Sequence, residues 1–166
     1  SSDLIKHKIS IGCVSTEQLS NTVSIDLPGR YPVTSSAGHK YIFIMYDTDS
    51  NYIKPIPMKS RETAEMLRCY QEGYLFFKKA GFQPTLIKAD NELSQRLADE
   101  ITDQRLHYEL VSPGDHRQLP AERAIQDFKN HFIAVCAGVD VTYPSNCWHH
   151  HMEHVEVTLN LPCASQ

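Results

Sequence analysis

Six consecutive apolar residues, Tyr41-Ile42-Phe43-Ile44-Met45-Tyr46, constrain this chain more than any other segment. The run is too short to cross a membrane as a helix. It carries no alternation, so as a strand it must be covered on both faces. That demands a sheet with further layers on either side, and the rest of the chain supplies them. Thr22 to Leu27 alternates, with Val23, Ile25 and Leu27 on one face and Ser24 and Asp26 on the other. Pro28-Gly29 ends it, and Tyr31 to Lys40 reads as a loop. A turn at Asp47-Thr48-Asp49-Ser50-Asn51 leads to a third strand, Tyr52 to Pro57, whose prolines limit its pairing. These three strands form an antiparallel meander.

From there strand and helix alternate. Arg61 to Lys79 reads as a helix with Leu67, Tyr70, Tyr74 and Phe77 on one stripe and Gly81 beyond its end. Thr85 to Ala89 is a fourth strand with Asp90 at its carboxyl end, Leu93 to Ile101 a short helix, and His107 to Val111 a fifth strand. After a polar loop, Ser112 to Gln118, helices follow at Leu119 to Ala137 and Trp148 to Leu159, the last burying Trp148, Met152, Val155 and Leu159. This order predicts an α/β fold: a five-stranded mixed sheet flanked by helices. Residues 1–20 show weak periodicity and read as an N-terminal tail or linker, without the apolar core of a signal peptide. Residues 21–163 read as one domain, a length that supports a substantial core.

Composition narrows the class without naming a function. The chain is 41% hydrophobic and 22% charged, as in ordinary globular proteins, and no apolar run reaches membrane-spanning length. Five scattered cysteines without a Cys-x-x-Cys suggest neither a disulfide framework nor a zinc ribbon, and point to a reducing compartment. A net charge of −4 is unfavourable for binding nucleic acid unless cations are placed locally.

Three acids stand where chemistry could use them. Asp26 and Asp90 close strands, and open α/β sheets bind ligands beyond the carboxyl ends of their strands. Glu122 lies in the first turn of the helix that begins at Leu119. On that helix Ala121, Ile125, Phe128 and Phe132 form the apolar stripe, and Glu122, Gln126 and Lys129 form an adjoining edge at i, i+4 and i+7. A carboxylate, an amide and a cation along one edge suit a metal at the top and a phosphate backbone below. Three acids gathered in one place repel one another, and divalent cations relieve that repulsion. The structural alternative is ordinary: strand-end aspartates cap turns, and a first-turn glutamate answers the helix dipole.

The strings Ile25-Asp26-Leu27-Pro28-Gly29-Arg30, Asp47-Thr48-Asp49-Ser50-Asn51, Ala89-Asp90-Asn91-Glu92 and Ala121-Glu122-Arg123-Ala124-Ile125, the last continuing to Phe132, occur in that order. Together they resemble the catalytic core of retroviral and LTR-retrotransposon integrases, from about Val23 to Leu161. The resemblance implies an RNase H-like fold with Asp26, Asp90 and Glu122 as a D-D-E triad holding two Mg²⁺ or Mn²⁺ ions. The implied reactions are 3′-end processing of element DNA and strand transfer into target DNA, in the nucleus. It further implies that Asn91, Gln118 and Lys129, with Gln126 on the same helix edge, contact DNA, and that the core forms a homodimer. The helix from Arg61 to Lys79 is a candidate for that contact. The family's zinc module and carboxy-terminal DNA-binding domain have no counterpart in these residues, so a fragment of a polyprotein is expected.

The match has departures. Only 31 residues separate Asp90 from Glu122, fewer than in the retroviral enzymes, and the loop Ser112 to Pro120 has one glycine and none beside the helix. Competing readings within the same chemistry are an RNase H-type nuclease or a DNA transposase. Outside it, the alternative is a catalytically silent scaffold for DNA binding or dimerisation. Two further groups look like sites. His150 and His154 are spaced to bind zinc, with His149, His151 and Cys147 nearby, but the histidines fall mostly off the buried stripe. Asp47 and Asp49 could add a fourth carboxylate, yet side chains in such turns usually bond nearby backbone amides.

Overall fold

The computed structural model describes residues 21–90, 94–111 and 119–161, with backbone only at Asp90, Leu119 and Pro120. Five strands form one sheet: β1 (Thr22–Asp26), β2 (Tyr41–Asp47), β3 (Ile53–Met58), β4 (Leu86–Asp90) and β5 (His107–Val111). Their spatial order is β3-β2-β1-β4-β5. The β1–β2 and β2–β3 pairs are antiparallel, whereas β1–β4 and β4–β5 are parallel. The helices are α1 (Thr63–Lys79), α2 (Gln95–Asp103), α3 (Leu119–Ala137) and α4 (His151–Asn160), with a 3-10 turn at Ser145–His150 before α4.

The continuous apolar run behaves as its composition requires. Phe43 and Met45 of β2 join Val23, Ile25, Met66, Tyr70, Phe77, Leu97 and Ile101 in one core. Ile42, Ile44 and Tyr46 point the other way and join Ala121, Ile125, Phe128, Phe132, Trp148, Met152 and Val155. The sheet is therefore the middle of three layers, with α1 and α2 on one side and α3 and α4 on the other. Each such side chain contributes about 1.5–3 kcal/mol through burial, so the two cores fix which face each helix occupies.

β3 forms an edge, as its prolines require. Its outer side is covered from α4. The Asn160 side chain accepts from the Ile53 amide at 2.9 Å and donates to the Ile53 carbonyl at 2.9 Å, replacing a missing neighbouring strand. Glu156, one turn earlier, accepts from Lys54 Nζ at 2.9 Å and from the Tyr52 hydroxyl at 2.8 Å.

Three sequence expectations shift. The α1 stripe is rotated: Met66, Cys69, Tyr70, Gly73 and Phe77 are buried, while Leu67 and Tyr74 are half-buried. Gly73 explains the rotation, because its bare backbone lies against Met45 and Ile56. A methyl group there would run into the Met45 thioether inside a fully buried layer. Gly73→Ala should therefore lower stability by about 1 kcal/mol, as overpacking of about 1–3 kcal/mol exceeds the helix-propensity gain. Thermal denaturation should record a fall of about 2–4 °C, and an unchanged or higher midpoint would refute the close-packing account.

The second shift is α2, which starts at Gln95 rather than Leu93 because Ser94 is its cap, its hydroxyl accepting from the Leu97 amide at 3.3 Å. The third is the last helix. Trp148 and its neighbours belong to the tighter 3-10 turn, and the α-helix proper begins at His151. Pro144 precedes the turn, and Cys147 departs from helical geometry at φ −97° and ψ 15°.

Candidate active site

The sheet brings two of the three acids to one place by register alone. Ile25 pairs with Ala89 across parallel β1 and β4, so Asp26 and Asp90 follow at matched positions on the last residues of neighbouring strands. Neighbouring strands lie about 4.8 Å apart. On its other side Asp26 pairs with Ile44, which belongs to the α3-facing core. Val23 and Ile25 face the opposite core, so alternation turns Asp26 toward α3. Both residues lie at the carboxyl end of the sheet, where open α/β folds place their ligands.

α3 lies over that face because Ala121, Ile125, Phe128 and Phe132 are buried against β2, the stripe expected from the sequence. The adjoining edge remains outside the core: Glu122 and Gln126 are exposed and Lys129 half-buried. Lys129 Nζ lies 3.5 Å from Asp26 Oδ2, with 37% and 31% of the two side chains exposed. This ion pair ties the α3 edge to the end of β1. Side chains on a helix lean toward its N-terminus, so the Lys129 stem runs back toward the turn bearing Glu122, about 10 Å up the axis. Glu122 itself sits in the first turn, where the helix dipole favours a carboxylate. Gln126 donates through Nε2 to Asn130 Oδ1 at 3.0 Å, so its amide is engaged along the helix.

Asn91 and Gln118 lie outside the described residues, as does the side chain of Asp90. Among the described residues no three His, Cys, Asp or Glu side chains converge to hold a metal ion. The donor set implied for one consists of carboxylate oxygens only. That chemistry fits a hard divalent cation such as Mg²⁺ or Mn²⁺ and fits a soft metal poorly. The Asp26 carboxylate, about one-third exposed and held among the described residues by one long ion pair, is available to such an ion.

The other acidic pair is structural. Asp47 is 2% exposed, and its Oδ2 accepts from the Ser50 amide at 2.8 Å and the Ser50 hydroxyl at 2.6 Å. Asp49 Oδ2 accepts from the Asn21 amide at 2.6 Å. Asp47 closes the β2–β3 turn, as the turn reading expects, whereas Asp49 reaches across to the residue before β1 instead of to a nearby amide. Of the histidines, His150 and His154 are exposed, while His149 packs beside Trp148 and His39 with ring centroids 6.3 and 5.6 Å away. Burial, then the nearby His150, lowers the pKa of His149. A cavity of about 250 Å³ between Tyr31, Val33, Cys136, Tyr143, Trp148 and His151 includes neither Asp26 nor Glu122 in its lining, and is separate from the carboxylate site.

The ion pair between Lys129 and Asp26 was not anticipated. The sequence placed Lys129 below Glu122 on the right edge, but its partner depends on where α3 crosses β1. Helical spacing carries no information about that crossing.

This arrangement defines a class of fold: an RNase H-like α/β domain with acids at the carboxyl ends of the two central parallel strands and on the helix that follows the sheet. Solved structures with the same fold include the catalytic core domain of the HTLV-2 integrase, determined in complex with magnesium in a trimeric form. The similarity has a TM-score of 0.61 and 16% identity, covering 84% of this chain and 84% of that one. The catalytic core domain of the BIV integrase matches at a TM-score of 0.59 and 15% identity, over 88% of this chain and 82% of the other. A chain of the simian T-cell lymphotropic virus intasome in complex with the PP2A regulatory subunit B56 gamma matches at a TM-score of 0.61 and 14% identity. There 81% of this chain covers 48% of that one. No protein-family model matches the chain, and no curated protein matches it in sequence. The protein thus has the fold of integrase catalytic cores.

Proposed function

We propose that the protein is the polynucleotidyl transferase core of a retroelement integrase, with Asp26, Asp90 and Glu122 as its catalytic triad. The observation that carries this reading is the register of the sheet, which sets Asp26 and Asp90 side by side at the carboxyl ends of β1 and β4, with Asp26 in contact with the α3 edge through Lys129. The magnesium-containing HTLV-2 core of the same fold supports the choice of cofactor.

In this reading Asp26, Asp90 and Glu122 hold two Mg²⁺ or Mn²⁺ ions through oxygen ligands. Bound there, the ions supply Lewis-acid stabilisation of a phosphodiester and lower the pKa of an attacking water or 3′-hydroxyl. In end processing the water oxygen bonds to phosphorus as the phosphorus–O3′ bond breaks, leaving a 3′-hydroxyl. In strand transfer that hydroxyl oxygen bonds to a target phosphorus, and the displaced O3′ takes up a proton. The chain's own contribution is to position and to exclude alternatives. The ends of β1 and β4 carry two of the acids, and the first turn of α3 carries the third. Lys129, Gln126, Asn91 and Gln118 hold the nucleic-acid backbone against an otherwise net-negative protein, and the reaction takes place on nuclear DNA.

The test is direct. The folded protein is incubated with Mn²⁺ and a DNA duplex carrying recessed 3′ ends, beside an RNA–DNA hybrid. Joined duplex products are expected. Cleavage of the hybrid alone would instead make the protein an RNase H-type nuclease, and no reaction together with no Mn²⁺ binding by calorimetry would make it a scaffold. The proposal includes a homodimer to which α1, with Leu75 half-exposed on its outer face, contributes. Sedimentation over a dilution series should show a dimer dissociating to monomer, and a monomer at every concentration would remove that part.

A further inference from the structure

The contact between Lys129 and Asp26 is poorly suited to a merely stabilising role. It is long, at 3.5 Å, and both partners are about one-third exposed, a setting in which ion pairs contribute little to stability. It is, however, made by a carboxylate that the proposed function assigns to a divalent cation. Asp26 Oδ2 cannot serve both at full strength. An Mg²⁺ ion would sit about 2.1 Å from a ligating oxygen, which would leave a dipositive and a monopositive charge a few ångströms apart. The lysine is the partner that can leave. Its ammonium is compact, strongly hydrated and carried on a four-carbon stem, and it is already partly in water. Glu122 and Gln126 occupy the same helix edge, with Gln126 turned onto Asn130 rather than toward Asp26.

We propose that Lys129 is the resident counter-ion of the metal-free site, and that cation binding releases it to engage a nucleic-acid phosphate. This inference rests on the assignment of Asp26 as a metal ligand and goes beyond it. The same amine would neutralise Asp26 before loading and the DNA backbone after it, so metal and DNA bind cooperatively. By reciprocity, each ligand raises the affinity of the other by the same factor. Lys129 is thus a positioning residue that couples the two, and the coupling does not depend on turnover.

The experiment measures binding alone. Mn²⁺ affinity is determined by calorimetry at constant ionic strength for the wild-type protein, Lys129→Met, Asp26→Asn and the control Arg123→Met, which removes an exposed cation of the same helix. Affinity for a short DNA duplex is then measured with and without Mg²⁺. Lys129→Met should bind Mn²⁺ about five-fold tighter than wild type, the order expected for an exposed ion pair, whereas Arg123→Met should change little. Mg²⁺ should strengthen DNA binding by wild type, and that gain should be smaller in Lys129→Met, where only the direct attraction between cation and phosphate remains. Unchanged or weaker Mn²⁺ binding by Lys129→Met overturns the handover while leaving the triad standing. An equal tightening in Arg123→Met also overturns it, since the effect would then report net charge alone. If the folded wild-type protein binds no Mn²⁺, or Asp26→Asn binds it undiminished, the functional assignment fails as well.

Discussion

Replacing Asp26 with asparagine is expected to abolish metal-dependent DNA joining while leaving the protein folded. The substitution keeps the shape of the side chain and removes only the charge that a divalent cation needs. Metal stabilisation of charge developing at phosphorus is worth several kcal/mol, so the rate should fall by about a thousand-fold. Stability should barely change, because the carboxylate is partly exposed and its one described ion pair, with Lys129, contributes at most about 1 kcal/mol. Asp90→Asn and Glu122→Gln should behave alike, since loss of any one carboxylate from a shared site disables the whole. Gel-based joining assays in Mn²⁺, paired with thermal melting of each variant, separate chemistry from folding. A folded variant that joins DNA at the wild-type rate would remove its residue from the triad.

Replacing Trp148 with alanine should destabilise the fold far more than Gly73→Ala or any of the carboxylate substitutions. Trp148 is 2% exposed and sits between Tyr31 and Phe132, with ring centroids 4.7 and 6.0 Å away. Its Nε1 donates to the Val33 carbonyl at 2.7 Å. It therefore joins the β1–β2 loop, α3 and the 3-10 turn in a single contact set. Truncating a buried tryptophan costs about 3–5 kcal/mol, which for a chain of this length corresponds to a melting point lower by about 10–15 °C. Trp148→Phe should fall between, as it keeps the aromatic packing but orphans the Val33 carbonyl. Because Phe132 lies on α3 with Glu122 and Lys129, loosening this cluster should also weaken the site. A shift of under about 2 °C in Trp148→Ala would show that the cluster does not anchor the helix layer.

Elements whose pattern is local were legible in the sequence. The β2 run and the α3 stripe were read with their observed bounds or nearly so, because a doubly covered strand and a 3.6-residue stripe each write their burial into residue order. The turn role of Asp47 was legible for the same reason, since its partner Ser50 lies three residues on, whereas the bond from the Asn21 amide to Asp49 spans 28 residues and was not. The α1 stripe was misplaced by about one position, because Leu67 and Tyr74 look more apolar than Cys69 and Gly73. What decided the matter was Gly73, whose small size lets the helix approach Met45. The start of the last helix was misread because Trp148 is drawn into a tighter turn by partners at Val33 and Tyr31, more than a hundred residues away.

The candidate site divides along the same line. Asp26, Asp90 and Glu122 could be picked out from strand ends and a helix start, and their order resembled that of integrase cores. Residue order alone therefore determined the order of the strands, the buried face of α3 and which acids stand at strand ends and a helix start, since these follow from side-chain periodicity and backbone preference. Only tertiary structure put β4 beside β1 in parallel, matched Asp26 with Asp90, and laid α3 so that Lys129 meets Asp26. Those relations depend on how two separate cores pack against one sheet, and no local stretch of sequence encodes the distance between segments that meet only after folding.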